Sequence, residues 1–127
     1  MLATLLLEKE PPLAWITFNK PERRNAVDLE MWEALPSLLA QIGNADEVRA
    51  VLLRGAGQEA FVSGADISQF GKARSGTDVN RRYDRAVDNA LKAISELEKP
   101  VIAMIHGFCM GGGCSLAVMC DLRICSD

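Results

Sequence analysis

The sequence predicts a mixed α/β fold in which short strands alternate with amphipathic helices. Three observations carry this. Short apolar runs such as Leu13–Phe18 and Val101–Ile105 recur, bounded by proline, glycine or asparagine. Two longer stretches, 28–43 and 78–97, repeat apolar residues every three or four positions. Between Val101–Ile105 and the apolar run that starts at Cys114 stand His106–Met110 and three consecutive glycines, the pattern of strand, turn and helix. With 127 residues the chain suits one domain with a modest core, and 49% apolar residues against 24% charged is an ordinary balance for a soluble globular protein.

Taken in order, residues 4–9 form a first strand, which Pro11-Pro12 breaks, and Leu13–Phe18 form a second. The pair reads as a hairpin with a short proline-rich connection. Residues 19–25 are a polar loop. Asp28 is a good N-cap for a helix running to Gly43, with Leu29, Trp32, Leu35, Leu39 and Ile42 on its apolar face. Pro36 is expected to kink that helix or mark its real first turn, since an interior proline costs ~3 kcal/mol. Val51-Leu52-Leu53-Arg54 is a third strand and Phe61-Val62-Ser63 a short fourth. Gly64-Ala65 then turns into a helix at Asp66, with Gln69 three residues on as in a capping box. Residues 71–77 are a polar surface loop. Asp78 caps a long helix to Leu97 whose apolar stripe is Val79, Tyr83, Ala86, Ala90, Ile94 and Leu97. Pro100 precedes the strand Val101–Ile105, and Leu122–Cys125 is one more strand. Trp15, Trp32 and Phe61 are expected core anchors, and Cys109 and Cys114 small core residues. There is no tandem repeat, low-complexity run or linker.

Several partners are excluded by composition. The net charge is −3, and Asp84 and Asp88 interrupt the arginines of the long helix (Arg81, Arg82, Arg85), so no nucleic-acid partner is expected. One histidine and no Cys-x-x-Cys pair argue against a metal site. Cysteines inside apolar segments read as reduced thiols, which places the protein in the cytoplasm. The apolar start, Met1 to Leu7, is too short to span a bilayer and lacks a basic start and cleavage site, so neither a membrane anchor nor a signal peptide is expected.

Glycines opening a helix leave N–H groups bare at the positive end of the helix dipole, a place for developing negative charge. Taken alone, Gly111-Gly112-Gly113 is a weak signal, more often tight packing of helix on strand than a functional site. Nucleotide loops are a poor match: Cys114-Ser115 follow the glycines where a phosphate loop needs Lys-Ser/Thr, and Gly-x-Gly-x-x-Gly is absent.

Three segments together resemble the crotonase (enoyl-CoA hydratase/isomerase) superfamily: Asn19-Lys20-Pro21-Glu22-Arg23-Arg24-Asn25-Ala26; Ala60-Phe61-Val62-Ser63-Gly64-Ala65-Asp66-Ile67; and Lys99-Pro100-Val101-Ile102-Ala103 through His106-Gly107 to Gly111-Gly112-Gly113 and Cys120-Asp121. The resemblance covers essentially the whole chain. It implies an α/β fold, a crotonase-like spiral of ββα turns with helices packed outside. Residues 1–127 would be the N-terminal portion of a single such domain, with the C-terminal part absent. It implies an acyl-CoA thioester as substrate, no permanently bound cofactor, no metal, and a homo-oligomer, trimer or hexamer when full length. Two backbone N–H groups, those of Ala65 and Gly112, would form an oxyanion hole for the thioester carbonyl. Both sit beside glycine at a helix start, where N–H groups lack partners and a substrate can approach closely. Arg23 and Arg24 would reach the coenzyme A phosphates, or else stand as a solvated pair. Ala26, Ser63, Asp66, Ile67, Ser68 and Gly111 complete the expected binding set with Ala65 and Gly112. Asp66 itself is read as a helix cap, Asp121 as a buried carboxylate bonded to backbone, and His106 as a packing or hydrogen-bonding residue.

The pattern departs from the hydratases at one position. Ser115 stands where they carry a catalytic glutamate, and a serine hydroxyl is no general base near neutral pH. Their second glutamate would fall downstream of Asp127. Two functions fit. One is an enzyme of the hydratase or isomerase type that stabilises an enolate. The other is a coenzyme A thioester-binding pseudoenzyme or assembly module without hydratase activity. Turnover of any acyl-CoA separates them.

Overall fold

The computed structural model describes residues 2–64 and 77–126, with side chains from Asn80 onward in the second span. The chain is organised as strand–strand–helix units. The first is β1 (Leu5–Glu10), β2 (Leu13–Phe18) and α1 (Leu29–Gly43). The second is β3 (Ala50–Gly55), β4 (Ala60–Val62) and, after residues 65–76, α2 (Thr77–Glu96). The third is β5 (Val101–Ile105), β6 (Phe108–Cys109) and α3 (Gly112–Met119), and β7 (Leu122–Cys125) follows.

The strands fall into two sheets. The larger has the order β1-β2-β3-β5-β7. Its β1–β2 hairpin is antiparallel, from Leu5 opposite Phe18 to Glu10 opposite Leu13. The other neighbours are parallel, with Leu13 opposite Ala50, Val51 opposite Val101 and Ile102 opposite Leu122. The second strands, β4 and β6, pair parallel to each other in a separate two-stranded sheet. The first strand of each later unit thus extends one sheet and the second strand extends the other, which winds the chain into a spiral.

The core lies between the larger sheet and the helices. Ala14, Ile16 and Phe18 point inward from β2 and Val51 and Leu53 from β3, against Trp32, Leu35, Leu39 and Ile42 of α1. Alternation along a strand sends Trp15 to the other face, so it is not a core anchor as expected. It is half-buried, and the Arg54 guanidinium lies 4.2 Å over its ring. Trp32 and Phe61 are fully buried as expected.

Helix boundaries follow their caps. The Asp28 side chain accepts a hydrogen bond from the Met31 N–H at 2.9 Å. The helix runs unbroken through Pro36, so the proline does not mark its first turn, although one intrahelical hydrogen bond is forgone there. At the far end Lys99 Nζ donates to the carbonyls of Ile42 and Ala45, both at 2.7 Å, a cation at the negative end of the helix. α2 begins at Thr77, so Asp78 lies inside it and is not the cap. Of its expected apolar stripe, Ala86, Ala90 and Ile94 are buried and Tyr83 is half-buried, the Val79 side chain lies outside the described residues, and Leu97 follows the helix end. The helix expected at Asp66 and most of the loop expected over 71–77 lie outside the described residues.

The polar loop gains a buried part, and the core reading of Cys109 and Cys114 is corrected. The loop over 19–25 is not simply solvated: Lys20 and Asn25 are buried. Cys114 is exposed and Cys109 half-buried, because the first turn of α3 turns its Cys114–Ser115 side outward while Leu116 and Ala117 face the core.

Candidate active site

Three backbone segments converge. Residues 24–27 lie along the end of β4, with Ser63 N–H donating to the Arg24 carbonyl at 3.1 Å and Val27 N–H to the Gly64 carbonyl at 2.9 Å. Asn25 fixes this loop. It adopts φ 58°, which asparagine tolerates better than most residues. Its Oδ1 accepts from Lys20 N–H at 2.9 Å, and its Nδ2 donates to the carbonyls of Ala56 and Ala60 at 2.9 and 2.8 Å. On the other side of β4, Met110 N–H donates to the Val62 carbonyl at 3.2 Å. Gly64 and Gly111 then meet: a Cβ on Gly111 would stand 3.7 Å from the Gly64 Cα, and both residues have positive φ, 129° and 51°.

Gly111 is the residue preceding α3, and Gly112 and Gly113 are its first two residues. Gly113 N–H donates to the Met110 carbonyl and Ser115 N–H to the Gly111 carbonyl, at 2.8 and 3.1 Å. Among the described residues the Gly112 N–H has no backbone acceptor. Gly112 is held on its other side by Trp32. A Cβ there would lie 2.8 Å from Trp32 Cζ2, and the indole N–H donates to the Tyr83 hydroxyl at 2.9 Å. Gly112 and Ser115 open into a groove of about 420 Å³ with Trp32, Tyr83, Asp84, Val87 and Asp88.

The expected site residues are therefore partly assembled in view. Arg23, Arg24, Ala26, Ser63, Gly111 and Gly112 come from the converging segments, whereas Ala65, Asp66, Ile67 and Ser68 lie outside the described residues. Ser115 is exposed on α3, and its Oγ donates only a long hydrogen bond, 3.4 Å, to the Gly111 carbonyl. Arg24 is exposed, but its Nε is 3.3 Å from Glu59 Oε2 and its guanidinium lies 4.8 Å over the Phe108 ring. Asp121 bonds to backbone as expected, its Oδ2 accepting from Val101 N–H at 2.9 Å, but it is exposed, not buried. His106 Nε2 is 3.0 Å from the Gly57 carbonyl. Sequence reasoning missed Asn25 and the Trp32–Tyr83 pair as supports of the site. The signal for Asn25 was an asparagine within the 19–26 motif, next to a break in regular structure.

Neither the Cys109 nor the Cys120 thiol is activated. Burial, then the charge of Cys114 and a hydrogen bond with it, then Cys125, push the Cys109 thiol up to about 11. Burial, with Asp121 adding and Arg123 opposing, pushes Cys120 up to about 12. Among the described residues no cluster of histidine, cysteine and carboxylate side chains could hold a metal ion, and no helix is long and apolar enough to cross a membrane.

The sequence from residue 8 to 127 matches the enoyl-CoA hydratase/isomerase family. The chain belongs to that family. It is similar to the short-chain-enoyl-CoA hydratase of Clostridium acetobutylicum, 39% identical over 126 residues, covering 99% of this chain and 48% of that protein. It is similar also to the peroxisomal Delta(3,5)-Delta(2,4)-dienoyl-CoA isomerase of Arabidopsis thaliana, 34% identical over 122 residues, covering 88% of this chain and 44% of that protein. A crystal structure of an enoyl-CoA hydratase/carnithine racemase from Magnetospirillum magneticum superposes with a TM-score of 0.90 at 38% identity, over 98% of this chain and 47% of that one. The fold is thus the α/β crotonase fold, and this enoyl-CoA hydratase/isomerase family chain spans about half the length of the relatives it matches. Those relatives include both a hydratase and an isomerase, so membership alone leaves the reaction open.

Proposed function

We propose that this chain carries the thioester-binding, enolate-stabilising part of an acyl-CoA hydratase or isomerase site. The Gly112 N–H is one oxyanion donor and the Ala65 N–H the other. The single observation that carries the reading is the Gly112 N–H itself, at the first residue of α3, without a backbone acceptor among the described residues and walled by Trp32. A donor aimed at a developing oxyanion is worth about 2.7–4 kcal/mol when removed. It lowers the cost of moving charge onto the thioester oxygen, so that a proton beside the carbonyl can leave or a nucleophile can add.

Arg23 and Arg24, on the loop that Asn25 anchors, supply positive charge for coenzyme A phosphates. Ala26, Ser63 and Gly111 line the approach, and Asp66, Ile67 and Ser68 belong to the same binding set by their place in the family motif. No permanently bound cofactor or metal enters this reading. The full-length protein is proposed to be a cytoplasmic homo-oligomer, trimer or hexamer, without nucleic-acid or membrane partners.

A second reading is favoured by Ser115, which supplies no carboxylate at the position where hydratases of the family carry one: a thioester-binding pseudoenzyme or assembly module. The experiment that tests both is calorimetric titration of the full-length protein with crotonyl-CoA and acetyl-CoA, followed by absorbance assays of hydration and double-bond migration. Binding with turnover supports the enzyme, and binding without turnover of any acyl-CoA supports the pseudoenzyme. Absence of binding rejects the site.

A further inference from the structure

Cys109 and Cys114 bracket the turn that presents Gly112, and the Cys114 thiol is held against the Cys109 backbone. Cys109 ends β6 and Cys114 is in the first turn of α3. The Cys114 Sγ lies 2.9 Å from the Cys109 carbonyl oxygen, so the Cys114 sulfur sits beside the Cys109 backbone. Between them are Met110 and three glycines, the residues best able to absorb the backbone adjustment a disulfide demands. The access differs usefully: Cys114 is exposed and Cys109 half-buried, while Cys120 is buried with its thiol on the Leu116 carbonyl.

We infer that Cys109 and Cys114 form a modification site, a dithiol that closes reversibly to a disulfide across the Gly111-Gly112-Gly113 turn. The oxidant is a small disulfide of the glutathione class. The exposed Cys114 thiolate attacks one sulfur of that disulfide, forming a mixed disulfide and releasing one thiol. Cys109 loses its proton and attacks the Cys114 sulfur, the intramolecular bond forms, and a second thiol leaves. Two protein thiols are oxidised and one external disulfide is reduced to two thiols. Cys114 acts first because it is accessible, whereas Cys109, held up to about 11, is almost wholly protonated at neutral pH. The titratable groups that face Cys109 are Cys114 of α3 and Cys125 of β7; once the Cys114 sulfur is in the mixed disulfide it carries no charge, and burial with Cys125 is what opposes Cys109 ionisation. Ring closure therefore speeds up about tenfold per pH unit below the Cys109 value. The closed ring contains Gly112, so closure resets the backbone that presents its N–H; this consequence rests on the proposed function.

The test is incubation of the protein with oxidised glutathione, alkylation of the remaining thiols, and peptide mapping by mass spectrometry. The expected product is a Cys109–Cys114 linked peptide, lighter by two hydrogen atoms than the reduced pair and restored by dithiothreitol. The Cys109→Ser variant is expected to stop at a stable glutathione adduct on Cys114. An adduct that persists on Cys114 in the unaltered protein, or a bond from Cys114 to Cys125, overturns the proposal. Titration of reduced and oxidised protein with acetyl-CoA reads the consequence: about tenfold weaker binding after oxidation is expected, and equal binding removes the switch. Failure of the reduced protein to bind at all rejects the proposed function, while the mapping still judges the dithiol.

Discussion

Asn25 does at one residue what a length of regular structure would otherwise do. It is fully buried, left-handed, and makes three hydrogen bonds that join the 20–26 loop to β4. Asn25→Ala leaves buried backbone groups unpaired at about 1–3 kcal/mol each, so a loss of several kcal/mol is expected in urea denaturation. Asn25→Asp should be no rescue, because a carboxylate would face the Ala56 and Ala60 carbonyls. Gly113 is as strict. A Cβ there would collide with the Val62 carbonyl oxygen, and Gly113→Ala is expected to lower stability by about 1–3 kcal/mol. Cys120 gives a pH dependence of known sign. Its thiol is raised in the fold, so the folded state holds its proton longer than the unfolded chain. The resulting stability is complete below about pH 9 and is lost as pH rises toward 12. Cys120→Ala should flatten that alkaline slope in denaturant midpoints measured from pH 8 upward. The role of Asn25 was illegible in sequence because its partners lie five to thirty-five positions away.

At the scale of elements, helix ends are closed by side chains from neighbouring strands and loops. Lys99, just before β5, caps the end of α1, and Lys99→Met is expected to cost about 2 kcal/mol by thermal denaturation through its two lost charge-assisted hydrogen bonds. Arg123 of β7 likewise donates to the carbonyls of Ala117 and Cys120 at the end of α3. The apolar face of α1 and the Asp28 cap were plain in the sequence, since helical spacing and an N-cap are signals read within a few residues. β6 was not. It is two residues long and forms because β4 and neighbouring backbone accept its pairing, with Phe108 N–H bonding to the Glu59 carbonyl. Without β6 the repeating strand–strand–helix unit cannot be seen by periodicity.

At the scale of the whole molecule, large apolar side chains stand uncovered among the described residues, most of all along the face of β7. Phe108, Met110, Val118, Leu122 and Ile124 are large and exposed, and β7 is exposed along its length at the edge of the larger sheet. Such a face binds hydrophobic dyes and drives association. The 127-residue chain produced alone is expected to self-associate in light scattering. Leu122→Lys with Ile124→Lys is expected to reduce that association with little loss of stability, because neither side chain is in the core.

The sequence by itself determined the family, the helix faces, the cap at Asp28 and the glycine turn before α3. These are signals of residue type and short spacing, and they act through the local backbone. The tertiary structure alone decided that Trp15 stacks under Arg54 on the far side of the sheet, that Cys114 faces outward beside Cys109, and that Trp32, locked by Tyr83, stands against Gly112. Each depends on which surface another segment already occupies. A residue's neighbours across a sheet or between helices are set by how the whole chain packs, and no local pattern encodes them.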